Sequence, residues 1–431
     1  MKWRLVFVLA VMMGSSWVIT GGVHAQVQVC QAEMDYLVQA QEQLVAAAYP
    51  DALVSYTCAL RADPLNDQAH IGRLWAALLA GDYMTAHSEA FLLNDGAGQV
   101  LEAAISEQTD VVSLQPDQLA ARQIRAFLYA FSGRPDAALA DVASILAVDQ
   151  DNVLAHAIRA VAREVMGDAE GAASAFETAV DLSPDNPQLY GLMAGAQWAS
   201  FNIESMAFNS SRAIELAPHL AYPYRLHGMS QMVMGNPEGA LADANRAIEL
   251  EPTYYAFYIL RANVSLALGD PQGAFADLTT AIELNPRTEI GHAFRAYAAL
   301  GLGDEAVAGQ DFATAIELGT RETIEGAALV AGQSVTVTMT DGRTFRLPFE
   351  AQAGQHAVIA VTSVNPGEVD PLVQVVSPEG VPLVFNDDAS DEDLDAAIPD
   401  YEFPASGTYT LVVSHANFGS EGDIVISLEL Q

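Results

Sequence analysis

The chain of 431 residues is almost without lysine: Lys2 is the one lysine, and the other seventeen of its 18 basic residues are arginines that nowhere cluster. Against them stand 55 aspartates and glutamates, a net charge of −37. Nucleic acid is excluded as a partner, because phosphate binding needs grouped cations that release counterions, and an anionic membrane surface is disfavoured by the same charge. After residue 25 no apolar run reaches the roughly 18–20 residues a helix needs to cross a bilayer, so no membrane span is expected. His70, His87, His156, His219, His227, His292, His356 and His415 fall in no H-E-x-x-H or similar zinc pattern, and there is no G-x-S-x-G elbow or phosphate loop. The expectation is a protein that binds, with no catalytic residues and no cofactor beyond a calcium ion in one acidic loop. With 51% hydrophobic and 17% charged residues, the composition is that of a folded chain.

Lys2 and Arg4 head an apolar run from Leu5 to Ile19, and Val23-His24-Ala25 is a small-x-small cleavage pattern. Residues 1–25 therefore read as a secretory signal peptide. Without them the chain keeps 16 arginines and 55 carboxylates, a net charge of −39. Secretion to the periplasm, the medium or the cell surface of a bacterium follows. Cysteine is as scarce as lysine, with Cys30 and Cys58 alone, and an oxidising compartment favours a disulfide between them. The rival readings are two free thiols or a lipid anchor at Cys30, against which Val29 stands where a small residue is required.

What the sequence does have is a period. Pro184, Pro218, Pro252 and Pro286 are spaced 34 residues apart, and Ala-Ile-Glu-Leu precedes three of them at 213–216, 247–250 and 281–284. Gly133, Gly167, Gly235, Gly269 and Gly303 keep the same frame, with Phe201 in the glycine's place in one unit. Small residues accompany them: Ala126, Ala160, Ala194, Gly228, Ala262 and Ala296 before the turns, and Ala138, Ala172, Ala240, Ala274 and Ala308 after them. Helices with small residues at such positions can cross closely. Six units start at 119, 153, 187, 221, 255 and 289, two more lie upstream from Glu33 and Asp67, and 101–118 is an insertion the period cannot absorb, a candidate hinge or extra helix.

This pattern resembles the tetratricopeptide repeat, a helix-turn-helix unit of about 34 residues that stacks into a superhelix. The resemblance implies a concave wall of first helices as the binding surface. Projecting the repeat phase onto that wall selects Phe127, Phe131, Trp198, Tyr222, Arg225, Met229, Met232, Asn263 and Tyr297, an aromatic and methionine-rich set suited to an extended peptide or an amphipathic helix. The lysine-dependent clamp that some members use for a terminal carboxylate is nearly excluded. A second column, Arg73, Arg125, Arg159, Arg261 and Arg295, lies sixteen residues before Glu89, Asp141, Ala175, Asp277 and Asp311 respectively. It reads as intra-repeat ion pairing, with Arg159 the exception.

After Thr320 the period becomes two, as in 334–339, 356–361, 372–376 and 408–413, with Asp-Gly, Pro-Gly, Glu-Gly and Ser-Gly turns between short runs. About eight strands in roughly 100 residues suit a small antiparallel sandwich or jelly roll. Ala353-Gly354-Gln355, Asp370-Pro371-Leu372, Ser377-Pro378-Glu379-Gly380, Asn386-Asp387-Asp388 and Pro404-Ala405-Ser406-Gly407-Thr408-Tyr409 resemble, in order, the bacterial pre-peptidase C-terminal domain. That resemblance implies an extracellular accessory module in contact with polysaccharide or matrix. Asn386, Asp387, Asp388, Asp391, Asp393 and Asp395 gather hard oxygens on one loop, as calcium requires, although Ala396 stands where a helix-loop-helix calcium site needs glycine. The bland reading of the loop is a solvated acidic turn.

The fold class expected is multidomain: signal peptide 1–25, repeats one and two over 26–100, connector 101–118, repeats three to eight over 119–320, linker 321–330, and an all-β sandwich or jelly roll over 331–431 after the all-α superhelix. The expected function is a secreted interaction scaffold for a protein or peptide. The alternatives are a carbohydrate- or matrix-binding surface protein that uses the β domain, or an accessory subunit of an envelope hydrolase.

Overall fold

The computed structural model describes residues 30, 35–96, 98–115, 118–320, 322–340, 342–365, 369–386, 395–415 and 421–431. The signal-peptide reading of 1–25 lies outside them. Its contacts divide the chain into two compact units, residues up to 270 with 280–286, and 271–279 with 287–431.

The first unit is built of helical hairpins. α1 (Tyr36–Val45) pairs with α2 (Tyr49–Ala62), and α3 (Asp67–Ala80) with α4 (Tyr83–Gly96). α5 (Gly98–Leu114) is the insertion, an extra helix that buries Leu101, Ile105 and Val112. Then follow α6 (Leu119–Phe131) with α7 (Pro135–Leu146), α8 (Val153–Val165) with α9 (Ala169–Leu182), α10 (Pro187–Ala199) with α11 (Ile203–Leu216), and α12 (Ala221–Val233) with α13 (Pro237–Leu250). α14 (Tyr255–Ala267) leads to α15 (Pro271–Leu284), which the two units share. Cys30 and Cys58 form a disulfide.

Local chemistry sets these boundaries. Asn66, Asn152, Asn202 and Asn236 each accept the backbone N–H three residues on, which satisfies a donor that the first turn of a helix leaves without a partner. The prolines end the second helices, and their carbonyls tie one repeat to the next: Tyr224 and Tyr258 donate to Pro218 and Pro252 at 3.1 and 3.0 Å. Ala126, Ala138, Ala172, Ala240 and Ala262 are fully buried where helices cross. The arginine column pairs as its spacing predicts at Arg73–Glu89, 3.0 Å, and in a two-bond fork at Arg125–Asp141, 2.7 Å each. Arg159, facing Ala175 in the column, donates instead to His156 at 2.8 Å.

The second unit joins the hairpin of α16 (Glu289–Gly301) and α17 (Glu305–Gly319) to strands, which among the described residues are β1 (Glu322–Glu325), β2 (Ser334–Met339), β3 (Arg343–Ala351), β4 (His356–Ser363), β5 (Pro371–Val376), β6 (Pro382–Asn386), β7 (Ala396–Glu402), β8 (Gly407–His415) and β9 (Gly422–Leu430). They form two sheets, β1-β3-β8-β5-β6 and β2-β9-β4-β7. Phe349, Phe403, Tyr409, Val373, Ile359, Ile426 and Leu428 from both sheets share one buried core.

Three expectations are corrected here. The sheets are not wholly antiparallel, because β1 runs parallel to β3, Glu322 beside Arg343. Residues 322–330 are not a free linker: Glu322 begins β1 and donates its N–H to Gly342 O at 3.0 Å, and Leu329 is buried. Finally, all six residues of β5 are buried rather than alternate ones. One face of β5 enters the sheet core; on the other, Leu372 and Val376 pack with Val412, Phe312 and Phe385 against α17, where the Phe312 and Phe385 rings lie 4.4 Å apart. Gln374 Nε2 donates to Gly309 O at 3.0 Å, which satisfies the one polar side chain in that strand. A strand covered on both faces reads as a continuous apolar run.

Candidate functional site

The wall formed by first helices is already in contact with a helix, and that helix is α4. In the first unit α4 packs on its own hairpin through Ala86, Ala90 and Leu93. Its other side meets α6, α10 and α12. Gln188 Oε1 accepts the Met84 N–H at 2.9 Å, and Tyr222 donates its hydroxyl to His87 Nδ1 at 2.5 Å. The Phe131 ring meets the His87 ring edge-on at 4.6 Å. Met84 lies in an apolar cluster with Ala194, Met206, Tyr222, Leu226, Trp198 and Met229, and Leu92 joins the one around Tyr254, Tyr255 and Phe257.

Glycines on α10 make the approach. A Cβ on Gly191 would stand 2.1 Å from Met84 Sδ, and one on Gly195 3.0 Å from His87 Cε1. Gly191 and Gly195 are one helical turn apart, so they form a flat track on one face for α4.

Charge closes the edge of this contact. Arg73 on α3 bonds Glu89 of α4 and, at 3.1 Å, Glu251 just after α13. Burial penalises the charge on Glu89, but His70 and Arg73 outweigh it and hold its carboxyl below the usual carboxylate range. Burial pushes His87 down to about 3, with Arg225 adding to the effect, so His87 is neutral and serves as an acceptor. Tyr222 is held protonated by burial. A cavity of about 70 Å³ remains between Arg73, Met84, Glu89, Tyr222, Glu251 and Tyr254.

Of the residues selected by repeat phase, Phe131, Trp198, Tyr222, Arg225 and Met229 lie around Met84 and His87. Four do not. Phe127 is 0% exposed beneath Phe131 and offers no surface. Met232 is half-buried, packed with Ala240 of its own hairpin and with Leu260 and Val264 of α14. Asn263 is exposed, and Tyr297 belongs to the second unit, edge-on to Phe312 at 5.1 Å. Sequence reasoning missed Met84, His87, Leu92, Gly191, Gly195 and Glu251. A signal was available: the second repeat loses its pattern near Asn94 just before an insertion, and α4 carries buried side chains on both sides, which one hairpin cannot cover.

In the acidic loop, Asn386 Oδ1 accepts the Ala397 N–H at 2.7 Å and Asp395 Oδ1 accepts the Ser363 N–H at 2.6 Å. Both are braces at the loop's base. Asp387, Asp388, Asp391 and Asp393 lie outside the described residues. Among the described residues no group of three or more His, Cys, Asp or Glu is placed to hold a metal, and no helix is long and apolar enough to cross a membrane.

Residues 125–187 and 225–289 match the family model for the tetratricopeptide repeat. No curated protein matches the chain. Among solved structures it is similar to a tetratricopeptide repeat protein from Parabacteroides merdae, at 16% identity over 61% of this chain and 97% of that one, TM-score 0.41. It is also similar to yeast Tom70, at 16% identity over 73% and 65%, TM-score 0.45. A third likeness is to YrrB, described as a TPR protein with an unusual peptide-binding site, at 17% identity over 43% and 95%, TM-score 0.31. The family match falls on α6 to α9 and on α12 to α15, so in those two stretches the chain is similar to the tetratricopeptide repeat, and the hairpins around them follow the same helix-turn-helix plan.

Proposed function

We propose that the protein is a non-enzymatic binding scaffold that takes an amphipathic helix of a protein partner on the wall formed by α6, α10 and α12. One observation carries the reading: that wall holds a helix, through Trp198, Tyr222 and Met229 and over the glycine track at 191 and 195. Methionine suits such a surface because its unbranched, polarisable chain adapts to different partners. The signal-peptide pattern of 1–25 and the Cys30–Cys58 disulfide support a setting outside the cytoplasm. The test is capture from envelope extract by the immobilised full chain and by a Trp198→Ala, Met229→Ala variant. Protein held by the parent and lost by the variant supports the wall; retention that does not change between them removes it.

A second reading gives recognition to the β domain, as polysaccharide or matrix contact or as an accessory to an envelope hydrolase, and the resemblance to pre-peptidase C-terminal domains favours it. The residues of that resemblance hold turns together: Ser377 Oγ accepts the N–H of Glu379 and of Val381, and Tyr409 donates to Ala405 O at 2.7 Å. Glycan retained equally by parent and variant would transfer the function to this domain.

A further inference from the structure

The contact between α4 and the wall joins residues far apart in the chain: 104 positions separate Met84 from Gln188, 135 separate His87 from Tyr222, and 178 separate Arg73 from Glu251. It is built like a bound peptide helix. The side chains that meet the wall fall at 84, 87, 88 and 92, one stripe of a helix. The stripe offers a flexible apolar residue, an acceptor three residues later and a second apolar residue eight residues after the first. Each has its counterpart: the glycine track and methionine cluster for Met84, the Tyr222 hydroxyl for His87, and the Tyr254, Tyr255 and Phe257 cluster for Leu92.

The polar groups on both sides of the contact have partners that can be exchanged. The bonds of α4 to the wall at Met84–Gln188 and His87–Tyr222 can each be remade with water or with another helix that presents the same groups.

We propose that α4 is a displaceable occupant of the concave wall, and that the partner is a helix with the same stripe: an unbranched apolar residue, a hydrogen-bond acceptor at the third position after it and an apolar residue at the eighth. This rests on the binding-wall reading above and adds to it the kind of partner and the need to displace α4. The apparent affinity for the partner is then the intrinsic affinity reduced by the fraction of molecules in which α4 has left.

The experiment is a titration of a fluorescent peptide of residues 82–96 into the full chain and into full-chain variants. Met84→Ala with His87→Ala weakens the internal contact without touching the wall, and Leu92→Ala does so more mildly. The peptide is expected to bind the double variant at least about tenfold more tightly than the parent, with Leu92→Ala between them. Gly191→Leu, added to either variant, puts a side chain where Met84 Sδ lies and is expected to abolish binding. Circular dichroism and a cooperative melt establish that each variant folds. Equal binding to parent and variants would overturn displacement and leave the wall as a binding surface. No binding to any folded variant would overturn both.

Discussion

At residue 201 a phenylalanine does what glycine does in sister turns. Gly81, Gly133, Gly167, Gly235, Gly269 and Gly303 have φ between +72° and +78°, and Phe201 has φ of +55°. A Cβ in that region costs about 1–2 kcal/mol, and the ring, 76% exposed and tilted over Trp198 at 5.7 Å, buries little to offset it. Phe201→Gly is expected to raise the unfolding free energy by about 1 kcal/mol, part of the relief being lost to the greater chain entropy of glycine. A higher urea midpoint at unchanged slope is the readout, and an unmoved midpoint would assign the strain to contacts that compensate it. The odd residue is legible in the sequence because the frame around it is intact. Depth is not legible in the same way, because the repeat phase selects a side of the helix only: Phe127 is buried beneath Phe131, and Met232 is half-buried against α14.

At the level of the helix, the seating of α4 is expected to depend on pH through His87. His87 is pushed down to about 3 in place, where Tyr222 donates to it, Arg225 stands nearby and Phe131 covers its ring. Released, it has the ordinary value near 6.5. The seated form cannot take up the proton and the released form can, so seating is at full strength above about 6.5 and weakens by up to tenfold per pH unit below it. From pH 7 to pH 5 the loss is roughly 25-fold. Glu89 moves with α4 and keeps its partners His70 and Arg73 on the adjoining α3. Hydrogen exchange of the α4 amides, corrected for intrinsic rate, is expected to quicken at pH 5 in the parent and to lose this dependence in His87→Gln. Equal acceleration in both would place the effect elsewhere. No local pattern announces this seating, since Met84, His87 and Leu92 would serve equally in an ordinary hairpin.

For the chain as a whole, charge is the dominant long-range term. The excess of carboxylates, with a net charge of −37, repels itself in the compact state. Salt screens this, with a Debye length of about 10 Å at 0.1 M. The melting temperature of the full chain at neutral pH is therefore expected to rise with added sodium chloride, and a fall would show that the paired arginines outweigh the repulsion. Those pairs, Arg73–Glu89, Arg125–Asp141 and Arg295–Asp311, lie within hairpins and partly out of water, where salt reaches them least.

The sequence by itself determined the repeat: its period, the caps that start helices, the prolines that end them, the small residues at crossings and the arginine–carboxylate column, because each depends on neighbours within one hairpin. It also determined that strands follow Thr320. Tertiary structure alone decided what covers the exposed faces. The seat of α4 depends on contacts more than 100 positions apart, and the two-sided burial of β5 depends on α17 lying against it. Hydrophobic burial rewards any apolar surface of the right shape, so a periodic pattern shows which face must be buried but not which distant element will bury it.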